Sequence, residues 1–367
     1  MFLKQLSLIN FKNYLEFEAK FSEKINCFVG NNGMGKTNLL DAIHYLSFCK
    51  SYFNSIDSQN IRHNEGFFVI QGVFNKFGEE SEVYCGIKRN QKKVFKKNKK
   101  EYERLSEHIG QFPLVMISPN DSELINGSSE LRRKFLDGII SQYDKVYLDQ
   151  LISYQQVLKQ RNALLKQFYE SRGFDSETLD ILDEQLIIYG RTILEKRHEF
   201  LNEFVKLFNK YYQFISDSKE EVGLVYENSL GEREFKTALM TALPRDRAMQ
   251  YTTVGPHKDD LGFQLNGFDL KKYASQGQQK SYLLALKLAQ FEFIKEQKHT
   301  KPLLLLDDVY DKLDEQRFTK LLQMVSSDLF GQVFITDTHP DRMNDLLNQM
   351  KIDHRIFLVE NSLVKEF

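Results

Sequence analysis

The sequence has no excess of charge of either sign, few cysteines and no long apolar run. Its 50 Lys+Arg are met by 51 Asp+Glu, a formal net charge of −1. A chain so balanced does not coat itself in nucleic acid through bulk charge, so any such contact needs a local patch. No run of about 18 apolar residues occurs, which excludes a membrane-spanning helix by hydropathy. The opening Met1-Phe2-Leu3-Lys4-Gln5-Leu6 lacks the charged start, apolar core and cleavage site of a secretory signal. Cys27, Cys49 and Cys85 are odd in number and have no metal-ligand spacing. They read as reduced cytosolic thiols rather than a disulfide framework. Internal repeats and low-complexity linkers are also missing. What remains is an ordinary globular balance, 41% hydrophobic and 28% charged, which rules out a disordered or fibrous chain. The 367 residues have room for two domains of about 150 residues each.

The first 115 residues alternate apolar and polar side chains and favour β-branched and aromatic types. Phe2 to Ile9, Leu15 to Phe21, Phe67 to Phe74 and Glu82 to Lys88 read as strands. Ile25 to Val29 is a short apolar strand, and a helix from Lys36 to about Cys49 follows it. Beyond Pro119 the period changes. Leu136, Ile140, Tyr143, Tyr147, Leu151, Tyr154, Leu158, Leu165 and Phe168 recur mostly at three and four, which predicts one helix over 131–168. Gly173 ends it, and Asp175 or Ser176 can cap a second long helix that carries Leu179 to Tyr211 on its stripe. Two such helices joined by a short turn predict an antiparallel hairpin. Strand character returns after Gly255: Gly262 to Leu265, the fully apolar Leu303 to Leu306, Val333 to Thr336 and a terminal hairpin turning at Asn361-Ser362. Helices are expected over 281–296 and from Glu315. The expected architecture is an α/β head of 1–117 and 251–367, with a mixed sheet, split by an inserted α-helical arm of 118–250.

Gly30-Asn31-Asn32-Gly33-Met34-Gly35-Lys36-Thr37 fits G-x-x-x-x-G-K-[ST] between a buried strand and a helix. Glycine lets backbone N–H groups close round phosphate oxygens, and the helix start offers its positive end to the anion. Lys36 is placed to reach the β- and γ-phosphates of ATP, and the Thr37 hydroxyl to ligate Mg2+. Leu303 to Leu306 end in Asp307-Asp308. A buried parallel strand delivers its carboxyl end to the ligand crevice, so Asp307 is expected in the Mg2+ shell and Asp308 as the base that orients water.

Tyr273 to Lys280, Tyr-Ala-Ser-Gln-Gly-Gln-Gln-Lys, precedes an apolar helix. Alone it would be a serine cap. Just upstream of an acidic strand it has the shape of an ABC signature, with Ser275, Gly277 and Gln278 in place and Gln276 where the first glycine is usual. Together with Leu8-Ile9-Asn10-Phe11-Lys12-Asn13-Tyr14, residues 33–43, Ile117 to Asp121, Arg132 to Asp137 and Gly255-Pro256-His257-Lys258-Asp259-Asp260-Leu261, these segments make the chain resemble the RecF family of bacterial recombination-mediator ATPases over almost its whole length. The resemblance implies a cytoplasmic ABC-type ATPase head with slow, DNA-linked ATP hydrolysis. It implies DNA binding at gaps or junctions, an ATP-dependent homodimer, and work with RecR and RecO to load RecA in replication, repair and the SOS response. Lys12 stands where the family usually has arginine, which loses the bidentate fork. Asp311 to Asp314 occupies the usual dimer-loop position, with Asp311 where serine is common. In Thr336-Asp337-Thr338-His339 the switch residue is either Asp337 or His339. An SMC-like structural clamp head and a P-loop ATPase unconnected with DNA are the rival readings. The first calls for far longer arms, and the second leaves the basic tract and the Gly-Pro-His segment without a role.

Eight of the thirteen residues from Lys88 to Lys100 are basic and none is acidic. This is the strongest local footprint for a phosphate backbone, though lysines also blunt an exposed sheet edge. Arg132-Arg133-Lys134 is a second basic cluster, read first as the surface of a helix start. His257 with Asp259 and Asp260 could ligate a metal, but a structural turn is the simpler reading. The tyrosines of the helical arm read as packing rather than base stacking, and Cys27 as a small core residue.

Overall fold

The computed structural model describes residues 1–171, 173–216, 220–309, 315–325 and 327–366. It divides into two compact units, Met1–Asp121 with Lys287–Phe367, and Ser122–Leu286.

The first unit opens with β1 (Phe2–Phe11), β2 (Tyr14–Lys20) and β3 (Ile25–Val29), and α1 (Lys36–Phe48) starts on the last glycine of the phosphate loop. β4 (Phe67–Lys76), β5 (Glu79–Lys88), β6 (Val94–Lys97), β7 (Lys100–Glu101) and β8 (Leu114–Ile117) follow. β1 buries Leu3, Leu6 and Leu8, and β4 buries Phe68, Ile70 and Phe74, the one-faced pattern of an antiparallel sheet.

The second unit holds α2 (Ser122–Asn126), α3 (Ser129–Tyr143), α4 (Lys145–Ser171), α5 (Ser176–Ser216), β9 (Val222–Glu227), α6 (Phe235–Met249), β10 (Asp260–Leu265), β11 (Phe268–Asp269) and α7 (Leu270–Tyr273). α8 (Gln276–Lys298) runs through the boundary. α4 and α5, 27 and 41 residues long, pack on each other as the expected hairpin of about 40 and 60 Å helices. The single helix over 131–168 is two. Asp144 is extended (φ −110°) and its carboxylate accepts the Tyr147 N–H at 2.9 Å, restarting the helix. The apolar stripe crosses this break with its four-residue step intact, so the period does not reveal it. The insertion is also drawn differently from 118–250. Residues 251–286 belong with the helical unit because β10 pairs along its whole length with β9.

The chain returns to the first unit with β12 (Leu303–Leu306), α9 (Glu315–Val325), β13 (Val333–Asp337), α10 (Pro340–Met350), β14 (His354–Glu360) and β15 (Leu363–Glu366). The first unit thus has an antiparallel sheet, β2-β1-β4-β5-β6-β7, and a mixed one, β15-β14-β3-β13-β12-β8. In the second, β14, β3, β13, β12 and β8 are parallel and only β15 runs against its neighbour. α1 contacts both sheets and is buried nearly all round through Leu39, Leu40, Ile43, Tyr45 and Leu46. Phe21 meets Phe334 edge-on at 4.9 Å, with Phe28 and Phe357 completing the aromatic core over the parallel strands. The register sets Val29 beside Asp337, and Leu306 beside both Ile335 and Ile117. The phosphate loop, the acidic doublet and the Thr336 segment therefore emerge at one edge of one sheet.

Candidate functional site

Gly30 leaves β3 at φ +146°, and a Cβ there would lie 2.3 Å from the Val359 carbonyl oxygen of β14. Only glycine fits so close a strand exit. Gly35 caps α1 in the left-handed region at φ +109°. Lys36 is 4% exposed, and its ammonium donates to the carbonyls of Gly30 (2.7 Å) and Asn31 (3.0 Å), straddling the loop. Asn13 holds the loop from outside. Its amide nitrogen donates to Met34 O (3.2 Å) and Ser362 Oγ (2.8 Å), and its Oδ1 accepts from Asn38 (2.7 Å). The Tyr14 hydroxyl donates to Gly35 O at 3.1 Å.

The Thr37 hydroxyl donates to Asp307 Oδ1 at 2.8 Å, joining the phosphate-loop helix to the acidic strand. Asp307 is 3% exposed, and burial, with Asp308 alongside adding to it, pushes its carboxyl up to about 6 against the pull of Thr37 and Thr336. Thr336 at the end of β13 links the pair. Its hydroxyl donates to Asp307 Oδ1 (2.9 Å), lies 3.2 Å from Asp308 Oδ1 and accepts the Asp308 N–H (2.8 Å). Asp308 sits at φ +45°, a left-handed conformation that a non-glycine residue keeps only where its surroundings hold it. A hydroxyl and a buried carboxylate converging at 2.8 Å are hard oxygen donors of the kind Mg2+ takes, and the lysine-spanned glycine loop beside them suits phosphate.

The two switch candidates differ in surroundings. Asp337 is buried, accepts both 2.7 Å bonds of the Arg342 guanidinium and takes the His339 N–H, while its own carbonyl accepts from Gly30. The His339 side chain is 64% exposed and touches Thr338. Lys12 pairs with Asp41 of α1 at 2.6 Å, and the same carboxylate takes the Ser51 hydroxyl and the Tyr52 N–H. The dimer-loop segment Asp311 to Asp314 lies outside the described residues.

In the second unit Ser275 and Gln278 form a reciprocal capping box at the start of α8. The Gln278 N–H donates to Ser275 Oγ (3.3 Å) and the Ser275 N–H to Gln278 Oε1 (2.7 Å). Gln278 also donates to Glu220 at 2.6 Å, and Ser275 is exposed. His257 is a structural residue. One ring nitrogen lies 2.7 Å from the Tyr154 hydroxyl and the other 3.0 Å from Thr252 O, while Asp259 holds Tyr226 and Ser229 and Asp260 holds Arg132. No group of three or more metal-ligating side chains occurs among the described residues. Arg132 and Arg133 are spent on Asp260 and the Asp259 carbonyl, and Lys134 on Glu130. Sequence reasoning gave Thr336, Asn13 and Tyr14 no role of their own. The first was visible only as a hydroxyl ending an apolar strand, the others as part of a family segment.

The family described as RecF/RecN/SMC N-terminal domain matches residues 2–363. The DNA replication and repair protein RecF of Flavobacterium johnsoniae is 52% identical over 97% of this chain and 99% of its own length. That of Phocaeicola vulgatus is 52% identical over 100% and 98%. Among solved structures, the recombination mediator protein RecF of the RecFOR pathway, with ATP, is 32% identical with a TM-score of 0.91 over 100% of this chain and 97% of that one. An SMC head bound to a winged-helix domain of ScpA is 17% identical with a TM-score of 0.58 over 100% and 97%, a likeness of fold alone. No helix of the described residues is long and apolar enough to cross a membrane.

Proposed function

From the premise that this chain belongs to the RecF family of DNA replication and repair proteins, recombination mediators with an ABC-type head, we propose that residues 30–37 bind ATP and that its slow hydrolysis governs binding to DNA. The observation that carries the reading is the 2.8 Å bond from Thr37 to Asp307. It brings the hydroxyl of the phosphate loop and the carboxylate of the acidic strand to one point, where together they would hold Mg2+. The metal, when bound, neutralises phosphate charge. Lys36 swings from the Gly30 and Asn31 carbonyls to the β- and γ-phosphates, and the N–H groups of Gly30, Asn31, Asn32, Gly33, Met34 and Gly35 line the loop. Asp308, held by Thr336, orients water and accepts its proton. His339 is the switch side chain, because Asp337 is committed to Arg342.

Ser275, Gly277 and Gln278 cap the γ-phosphate of a second copy, so ATP drives a homodimer on gapped or junction DNA and hydrolysis releases it. The partners are those of the family pathway, RecR and RecO with RecA loading downstream, in the cytoplasm. Lys36→Ala is expected to abolish ATP binding measured by calorimetry, since no other cation lies on the loop. Near-native affinity in that variant would remove residues 30–37 as the site.

A further inference from the structure

The basic tract Lys88–Lys100 is not one surface. Its two turns lie at opposite ends of β6, about 13 Å apart at 3.3 Å per residue. At the far end Lys97, Lys99 and Lys100 sit among acids. Lys96 pairs across the strands with Glu101, Glu82 of β5 brackets Asn98, Glu79 and Glu80 are exposed at the start of β5, and Glu103 is exposed just after β7. Lys97 lies over the Phe112 ring. At the near end Lys93 is turned inward, donating to Cys49 O (2.6 Å), pairing with Asp57 (2.7 Å) and covering Tyr45. Lys88, Arg89 and Lys92 are exposed, and no carboxylate among the described residues is ion-paired with them. Arg89 is aimed by two bonds to the adjoining loop, N–H to Gly66 O (3.0 Å) and Nε to Glu65 O (3.1 Å). That loop is tied at Arg62 to Asn10 and at Asn60 to Lys12, so this turn lies at the end of the antiparallel sheet that meets α1.

We propose that Lys88, Arg89 and Lys92 contact the phosphodiester backbone of duplex DNA, on the unit that also carries the phosphate loop. The proposal rests on the DNA-binding reading above. Three solvated cations on one turn suit a polyanion read by charge rather than by base. The turn carries no aromatic side chain; Phe67, opposite Lys88, is 42% exposed, and one ring is not the series of platforms that single strands use.

The test is fluorescence anisotropy of a labelled duplex with the full chain and ATP, across a salt series. Three proteins are compared: wild type, Lys88→Gln/Arg89→Gln/Lys92→Gln, and Lys97→Gln/Lys99→Gln/Lys100→Gln. The two triple variants change net charge equally. The first should flatten the salt slope by roughly 0.9 per lost contact, so that the affinity lost between 50 and 200 mM salt shrinks about fortyfold relative to wild type. The second should keep the wild-type slope, and single-stranded oligonucleotide should be less sensitive than duplex to the first. Equal slopes in all three proteins overturn the proposal. So do equal losses in the two variants, which would make the effect one of net charge, and a loss of affinity at unchanged slope, which would mean that the three side chains act through the fold and not on phosphate. Failure of wild type to bind DNA at all would instead bring down the DNA-binding reading itself.

Discussion

Asp307 and Asp308 are neighbours in sequence and differ in circumstance. Asp307 is buried against Thr37 and Thr336, with its carboxyl raised to about 6 chiefly by burial, whereas Asp308 is partly exposed on a left-handed backbone. Asp308→Asn should therefore keep ATP and Mg2+ affinity and lower turnover by about a hundredfold or more, the usual scale of a lost general base. Single-turnover phosphate release checks this, and equal rates would remove the base assignment. Asp307→Asn should weaken the metal instead, and in wild type the Mg2+ dependence of nucleotide binding should weaken as pH falls through about 6, where Asp307 gains a proton. Three histidines carry a different pH signature. His44, His108 and His257 are each pushed down to about 4, chiefly by burial. Each also has a ring nitrogen against a backbone carbonyl. Between about 4 and the ordinary 6.5 the unfolded chain binds more protons at these three, so their contribution to stability is full above 6.5 and lost as pH falls to about 4. Asp307, displaced upward, acts in the opposite sense below about 6 and offsets one of them. The expected result is three histidine ring signals that do not move between pH 8 and 5.5 in NMR of ring-labelled protein. It should be accompanied by a falling urea midpoint as pH drops from 6.5 to 4.5. Titration of all eight histidines near 6.5 would contradict the buried neutral rings.

At the scale of elements, the helical hairpin is held by a polar network inside an apolar seam. Arg161 of α4 is wholly buried and donates to Asp183 of α5 (2.5 Å), Asp246 of α6 (2.7 Å) and Thr252 (2.9 Å). Arg161→Met removes one partner and leaves the fully buried Asp246 without its cation, a cost on the order of 3–5 kcal/mol. Lys134→Ala breaks an exposed pair on α3, side chains 67% and 64% open, and should shift stability by well under 1 kcal/mol. Calorimetric melting of the two variants checks the contrast, and similar shifts would mean that the Arg161 network bears no load. These elements also mark what the residue pattern could carry. The strands of the first unit and both long helices were legible, because one-sided burial imposes periods of two and 3.6 along the chain. The helix restart at Asp144 was not, since its cap leaves the apolar period undisturbed. β9 and α6 were not either, because β9 is mostly half-exposed and α6 carries Pro244 within it. Thr37, Lys36 and Asp307 could be placed from motif spacing. The inward turn of Lys93 could not, because a run of like charges does not say which face each member takes, and only the pairing of β5 with β6 decides it.

At the scale of the whole molecule, ATP-dependent assembly would turn on Ser275. Its exposed hydroxyl and the free N–H groups at the start of α8 form an end that favours an anion, while the capping box keeps that end preformed. If the anion is the γ-phosphate held by a second copy, two such ends related by a two-fold axis bury two ATP molecules between the heads. ATP then binds the dimer more tightly than the monomer, and by linkage it must drive dimerisation, whereas ADP lacks the group that Ser275 and the Gly277 N–H would meet. The expected states are a monomer with ADP and a dimer with ATP in the Asp308→Asn protein, read by sedimentation velocity across protein concentration. Ser275→Arg should block the dimer and leave ATP binding intact, but it also removes a helix cap, a loss of about 1 kcal/mol that could act on its own. Ser275→Asp separates the two effects. Aspartate caps a helix as well as serine does, so α8 keeps its start, yet its carboxylate would stand against the phosphate of the partner copy. Loss of the ATP-dependent dimer in both variants, with unchanged melting in Ser275→Asp, is the outcome the cross-subunit cap requires. A Ser275→Asp protein that dimerises with ATP as wild type does would leave Ser275 a helix cap and nothing more, and the clamp would have to close through other residues.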